Sequence, residues 1–215
     1  MKELIVKNVK IEWLGHSGFR LTMLSRKEVI YIDPFGIDEE KPPKAGLILI
    51  THSHYDHFSE KDIKKISLPN TRIFAPPDVA MNMKMTVEPG LFYSLDHIKV
   101  ETFPAYNLDK PYHPKENKWV SYLITFDGST RLFHTGDSDL IVDFKDLFDV
   151  DVLLVPVSGK FVMTSEEAFS LAKAIKPGIS IPMHYGKIVG DKEDAEKFKS
   201  LCEKEGLKAE ILEKA

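Results

Sequence analysis

The sequence predicts a mixed α/β (α+β) fold in a single domain, residues 1–215. Three observations carry this expectation. Residues 3–32 alternate short β-prone runs with turn-like breaks, the pattern of an antiparallel meander. The apolar run from Leu47 to Ile50 reads as a buried strand that empties directly into a polar turn and a helix start. Beyond Val152, short apolar runs alternate with amphipathic helical patterns. A chain of 215 residues can bury one substantial core, and nothing in its composition demands a second.

In order, Leu4-Ile5-Val6, Val9 to Trp13, Phe19 to Met23 and Glu28 to Ile32 are the meander strands. The glycine-bounded break Gly15-His16-Ser17-Gly18 puts His16 at a strand end, either bonded to a nearby carbonyl or facing a site. Asp33 closes the fourth strand and precedes Pro34, which biases it toward extended backbone. Its carboxylate can hold the second ring nitrogen of a ligand histidine, or bond its own backbone as a turn aspartate. Residues 38–45 are a charged surface loop.

After the 47–50 strand, Ser59 is a candidate N-cap with Asp62 three residues on, for a helix over 60–67. Arg72 to Ala75 is a buried strand, and Asp78 to Met85 reads as a short helix with three methionines as core filler or flexible lining. Ile98 to Phe103 alternates as a half-buried strand and delivers Pro104-Ala105-Tyr106-Asn107 to a loop. Trp119 to Phe126 and Thr130 to Phe133 form a hairpin through Asp127-Gly128-Ser129 and lead to His134-Thr135-Gly136-Asp137. Strands follow at Val152 to Pro156 and Ile179 to Pro182, with a helix from Thr164 to about Lys176 between them whose apolar face is Ala168, Leu171, Ala172 and Ile175. Met183-His184-Tyr185-Gly186 ends the second of these, a charged helix covers Asp191 to Lys204, and Lys208 to Leu212 reads as a last strand. There is no internal repeat and no low-complexity tract.

The chemistry lies in His52-Ser53-His54-Tyr55-Asp56-His57. Side chains two apart on an extended exit point the same way, so His52 and His54 can converge on one ion. Asp56 and His57 fall where the chain turns and can serve a second, giving the oxygen and nitrogen donors that suit a divalent transition metal. The chain has only eight histidines, and three of them lie within these six positions.

His52-x-His54-x-Asp56-His57 after an apolar strand resembles the signature of the metallo-β-lactamase superfamily, di-metal hydrolases built as a four-layer αβ/βα sandwich. Gly15-His16-Ser17-Gly18-Phe19, Ile32-Asp33-Pro34-Phe35, Pro104 to Asn107, His134 to Asp137 and Pro182 to Gly186 extend the likeness over nearly the whole chain. In order and spacing they are similar to a branch of small metal-dependent hydrolases that includes L-ascorbate-6-phosphate lactonase and, more distantly, N-acylphosphatidylethanolamine phospholipase D. The resemblance implies metal ligands His52, His54, Asp56, His57, Asp137 and His184, with Asp137 serving both ions and His184 the second. Asp33, Asn107 and His134 are expected around that site or at the substrate. Most members have a third histidine for the first metal where this chain has Asn107, and His113 and His16 are the candidates to replace it or to transfer protons. For His113 the alternative is a surface histidine in a Pro-rich loop.

The expected function is a hydrolase that uses a hydroxide held by two divalent ions, Zn first and Mn, Ni or Fe as alternatives, on a phosphoester or phosphodiester. A lactonase or other carboxylic ester or amide hydrolase, and a non-catalytic metal-binding module, are the competing readings. No Gly-x-Ser-x-Gly motif competes as a nucleophile. Lys115, Lys118, Lys160 and Lys187 sit in loops where they can meet a phosphate. A net charge of -4 gives no general attraction to nucleic acid or an anionic membrane, and no stretch has the length of a transmembrane span. One cysteine excludes an internal disulfide and thiolate-built metal sites, and with the charged start Met1-Lys2-Glu3 it points to the cytoplasm. The absence of glutamine beside abundant Lys and Glu is the bias of a thermophilic source.

Overall fold

Short β-prone runs over residues 3–32, separated by breaks short enough to reverse the chain, yield an antiparallel meander whose second and third strands are almost wholly buried. Its strands are β1 (Glu3–Val6), β2 (Val9–Gly15), β3 (Gly18–Met23) and β4 (Glu28–Ile32). The structure, a computed structural model, describes residues 1–79 and 84–215. It resolves into two compact units, Met1–Val87 with Leu212–Ala215, and Glu88–Ile211.

In the first unit the sheet continues in parallel through β5 (Leu47–Leu49), β6 (Arg72–Ala75) and β7 (Met85–Thr86), in the order β1-β2-β3-β4-β5-β6-β7. Parallel neighbours require a crossover, and α1 (Glu60–Ile66) supplies it between β5 and β6. The Ser59 hydroxyl caps it by accepting from the Asp62 N–H at 3.3 Å, while the Asp62 carboxylate accepts from the Gly36 N–H at 2.9 Å. Ile63 and Ile66 of this helix join Tyr31, Ile48 and Ile50 in one buried cluster. The helix expected from Asp78 to Met85 is not seen in the described residues at either end of that stretch. Asp78 lies in a turn after Pro76-Pro77, residues 80–83 lie outside the described residues, and Met85 is an exposed strand residue.

The second unit has the sheet order β13-β12-β11-β10-β9-β8. Here β8 (Phe92–Leu95), β9 (Ile98–Pro104), β10 (Val120–Phe126) and β11 (Thr130–His134) are antiparallel, and β12 (Val152–Pro156) and β13 (Ile179–Met183) extend β11 in parallel. Asp127 and Gly128 both have positive φ, the type I′ requirement for the tight turn between β10 and β11. The sequence gives no clear sign of β8, a short edge strand with half its residues exposed, joined to β9 through a turn at Asp96-His97. Thr164 and Glu167 form a full capping box on α2 (Ser165–Ile175), and Asp191 and Asp194 one on α3 (Lys192–Lys204). The buried face of α2 includes Ala168, Leu171, Ala172 and Ile175, and that of α3 is Ala195, Phe198 and Cys202. Burial pushes the Cys202 thiol up to about 11.

The last strand expected at Lys208 to Leu212 is absent. Ser180 N–H donates to the Lys208 carbonyl and Glu210 N–H to the Ser180 carbonyl, a single bridge beside β13. In the first unit Glu213 and Ala215 N–H donate to Met1 and Trp13. Dividing its hydrogen bonds in this way denies the segment a continuous ladder.

Across β2 and β3, Arg20 faces Glu12 and grips both its carboxylate oxygens at 2.9 Å, with both side chains buried. Burial works against the Glu12 carboxylate, but hydrogen bonds and charge from Arg20 and Lys10 outweigh it and hold its pKa below 4.5. A depressed acid stabilises the fold above its unfolded value and loses that contribution as pH falls through the folded value. The melting midpoint of the wild-type protein is therefore expected to fall more steeply below pH 4.5 than that of Glu12→Gln. Arg20→Met, which leaves the buried carboxylate with Lys10 as its remaining ion pair, is expected to cost about 1–3 kcal/mol in a urea titration.

Candidate metal centre

Each unit carries its cluster of polar side chains where parallel strands end, the position at which open α/β sheets present groups to a ligand. In the first unit β4 runs into Asp33 and β5 into Thr51 to His57; in the second β11, β12 and β13 run into Asp137, Ser158 and His184. Backbone conformation does the aiming. His16, Asp33 and His184, each just past a strand, have φ of 52°, 44° and 61°. Non-glycine residues adopt this left-handed region uncommonly, Asp and His more readily than most. For Asp33 this replaces the extended conformation that Pro34 favours.

Asp33 is the hub of the first unit. Its completely buried carboxylate accepts from the Thr51 N–H at 2.8 Å, the Thr51 hydroxyl at 2.6 Å and His57 Nδ1 at 2.8 Å. Because the Thr51 hydroxyl spends its only proton on Asp33, its 2.9 Å contact with His52 Nδ1 requires the ring to donate. Both His52 and His57 are thus fixed with the proton on Nδ1 and present Nε2 outward. His54 Nδ1 lies 3.0 Å from His52 Nε2, so these two donors converge. His16 Nε2 lies 3.0 Å from Asp56 Oδ2, and His16, Asp56 and His57 bring one ligand atom each to within 4.8 Å of one another. Tyr55, inside the motif, is 69% exposed and meets the Phe35 ring edge-on.

In the second unit Asp137 Oδ2 lies 2.8 Å from His184 Nε2 and 3.4 Å from His113 Nε2, all three residues being buried. The far nitrogen of each ring is held: His184 Nδ1 by the Ser158 hydroxyl at 2.9 Å, His113 Nδ1 by Asn107 Oδ1 at 2.8 Å. Gly190 closes over this support. A Cβ at Gly190 would stand 2.5 Å from Ser158 Cβ at a φ of +67°, so a side chain there would displace the residue that orients His184. His134 differs from the others, because its Nδ1 accepts the Gly136 N–H at 3.0 Å and shapes the turn that carries Asp137. Burial pushes the neighbouring Tyr185 phenol up to about 12.

Asn107 Nδ2 donates to Asp139 at 3.1 Å and to the Phe161 carbonyl at 2.9 Å, while Oδ1 accepts from His113. The amide is therefore committed to protein partners. Sequence reasoning missed Thr51, Ser158 and Asp139; their available signal was a polar residue at or just beyond a buried strand end. Of the four loop lysines, Lys118 pairs with Glu88 at 3.1 Å and Lys115 lies over the Tyr106 ring at 4.7 Å. Lys160 lies over Phe161 at 5.0 Å, and Lys187 is exposed. Lys115 and Lys118 line a cavity of about 450 Å³ with Tyr106 and Trp119.

These donor sets fit divalent transition ions. They consist of imidazole nitrogens whose opposite nitrogens are engaged and of carboxylate oxygens, and they contain no thiolate. Histidines and aspartates in this arrangement, on two mixed sheets, mark the metallo-β-lactamase superfamily, and the chain belongs to it: residues 10–184 match the beta-lactamase superfamily domain. Within it, the chain is 34% identical to a UPF0173 protein of Pyrococcus furiosus over 91% of both chains. It is 31% identical to a UPF0173 metal-dependent hydrolase of Nanoarchaeum equitans over 96% and 97% of the two. Among solved structures it is similar to a metallo hydrolase of Ignicoccus hospitalis, with a TM-score of 0.78 at 22% identity over 96% of each chain.

Proposed function

We propose that residues 1–215 act as one metal-dependent hydrolase domain on a phosphoester or phosphodiester. The observation that carries this reading is the pair of histidines held so as to offer metal-ready nitrogens, His52 and His57 through Asp33, with the His184 ring braced by Ser158. Family membership and relatives described as metal-dependent hydrolases support it. His52, His54 and His113 are proposed to hold the first ion, Asp56, His57 and His184 the second, and Asp137 both. Two divalent ions, zinc first with manganese, nickel or iron as alternatives, would supply an activated water and polarise an oxygen of the scissile group. Among the protein groups, His16 lies 3.0 Å from Asp56, placed to join it as a ligand or to carry a proton there. Lys115 offers an ammonium group to a phosphorylated substrate at the cavity, where Lys118 is paired with Glu88 and Asp143 also lines the wall. The single cysteine, buried and poorly ionised, fits a reducing cytoplasm.

The test is metal analysis of the purified protein, then turnover of a chromogenic bis-phosphodiester against a panel of lactones, with and without chelator. Chelator-sensitive phosphodiester cleavage that fails in Asp56→Ala is the expected result. Cleavage of lactones alone would move the assignment to a carboxylic ester hydrolase. Metal binding without turnover of either class would leave a binding module.

A further inference from the structure

We infer that Asn107 is a positioning residue that fixes the proton of His113 on Nδ1, and that Asp139 with Lys110 locks the amide in the orientation this requires. The inference rests on the reading of His113 as a metal ligand, and it gives a purpose to the residue found where most of the superfamily has a histidine. An amide can face either way, and its neighbours decide which. One end of Asn107 lies 3.1 Å from Asp139 Oδ1 and 2.9 Å from the Phe161 carbonyl oxygen, both acceptors. The other lies 3.1 Å from the His113 backbone N–H, which can only donate. Reversing the amide would set oxygen against oxygen and N–H against N–H, so Oδ1 must face His113. The 2.8 Å contact between that oxygen and His113 Nδ1 then requires the ring to donate.

With its proton on Nδ1, the neutral ring offers Nε2, the nitrogen that faces Asp137. His113 does not stand at a strand end as His184 does; it lies in a loop, where a ligand needs added restraint. The same pair provides it, because the Asn107 N–H donates to the His113 carbonyl at 2.8 Å and closes residues 107–113 into a ring. Asp139 is in turn held by the Leu108 N–H at 2.9 Å and by the Lys110 ammonium. The amide thus acts through the histidine six residues on.

Long-range nitrogen–proton NMR of the imidazole rings tests this, with the His113 resonances assigned by their loss in His113→Gln. A proton on His113 Nδ1 is expected in the metal-free protein and in the zinc-loaded protein alike. Asn107→Leu is expected to lose the exchange protection of that proton and to lower zinc affinity about 10–100-fold. Asp139→Asn, which keeps an acceptor for the amide, is expected to retain the Nδ1 proton. An Nδ1 without a proton in the wild-type protein overturns the inference, as does unchanged zinc affinity in a folded Asn107→Leu. Should Asn107→Leu not fold, the wild-type ring spectra decide alone. Failure of the wild-type protein to take up zinc would defeat the proposed function, and the metal-free spectrum would still judge Asn107.

Discussion

Asp33→Asn is expected to yield a folded protein that loses metal. The substitution preserves shape, and asparagine tolerates the left-handed backbone that Asp33 occupies at φ 44°, so the main chain is not the variable. What changes is acceptor capacity. Three donors converge on the carboxylate, from Thr51 N–H, Thr51 Oγ1 and His57 Nδ1, and an amide opposes at least one of them with its own N–H. One stranded buried donor costs about 1–3 kcal/mol, which in a chain of this size lowers the melting midpoint by roughly 2–12 °C. The functional effect is larger. His57 loses its orienting partner directly and His52 loses it through Thr51, so metal affinity and turnover are each expected to drop at least about 10–100-fold. Metal content after dialysis against a weak chelator, beside a melting scan, measures both. A normal metal content in a folded variant would show that Asp33 does not orient the ligands.

That hub explains what could and could not be read beforehand. Three histidines and an aspartate in six positions after an apolar strand are legible because strand periodicity and donor chemistry lie in contiguous residues. The carboxylate that organises two of them is 18 residues from Thr51, and its place at a strand end and in the Ile32-Asp33-Pro34-Phe35 stretch hinted at a role without showing its partners. Ser158 and Asp139 carried less signal still, since each works through a partner 26 or 32 residues away. The positive φ values at His16, Asp33 and His184 were not visible either, and for Asp33 the following proline argued the other way. The same limit governs the fold. Helices with capping boxes and a buried face, such as Ser165–Ile175, announce themselves within a dozen residues. Phe92–Leu95 and the failed last strand depend instead on which neighbour offers a ladder.

In the second unit the decisive residue is Asp137, for which replacement by alanine is expected to reduce kcat/KM by about 10³-fold or more, roughly 4 kcal/mol of transition-state stabilisation. Its Oδ2 faces the Nε2 atoms of both His184 and His113, at 2.8 and 3.4 Å, so one side chain addresses the nitrogens proposed to serve different ions. On the proposed assignment, loss of a ligand confined to one ion spares the other, whereas loss of Asp137 removes an oxygen from both. Metal analysis should therefore separate the variants. Asp56→Ala is expected to retain close to one equivalent of metal, whereas Asp137→Ala is expected to fall below it. Because Asp137 is only 3% exposed and lies between two imidazoles, its removal also leaves those rings without their carboxylate partner. The metal-free variant should then be less stable than the metal-free wild type, as read from urea titrations of the two. Equal metal content in Asp56→Ala and Asp137→Ala would reduce Asp137 to a ligand of one ion.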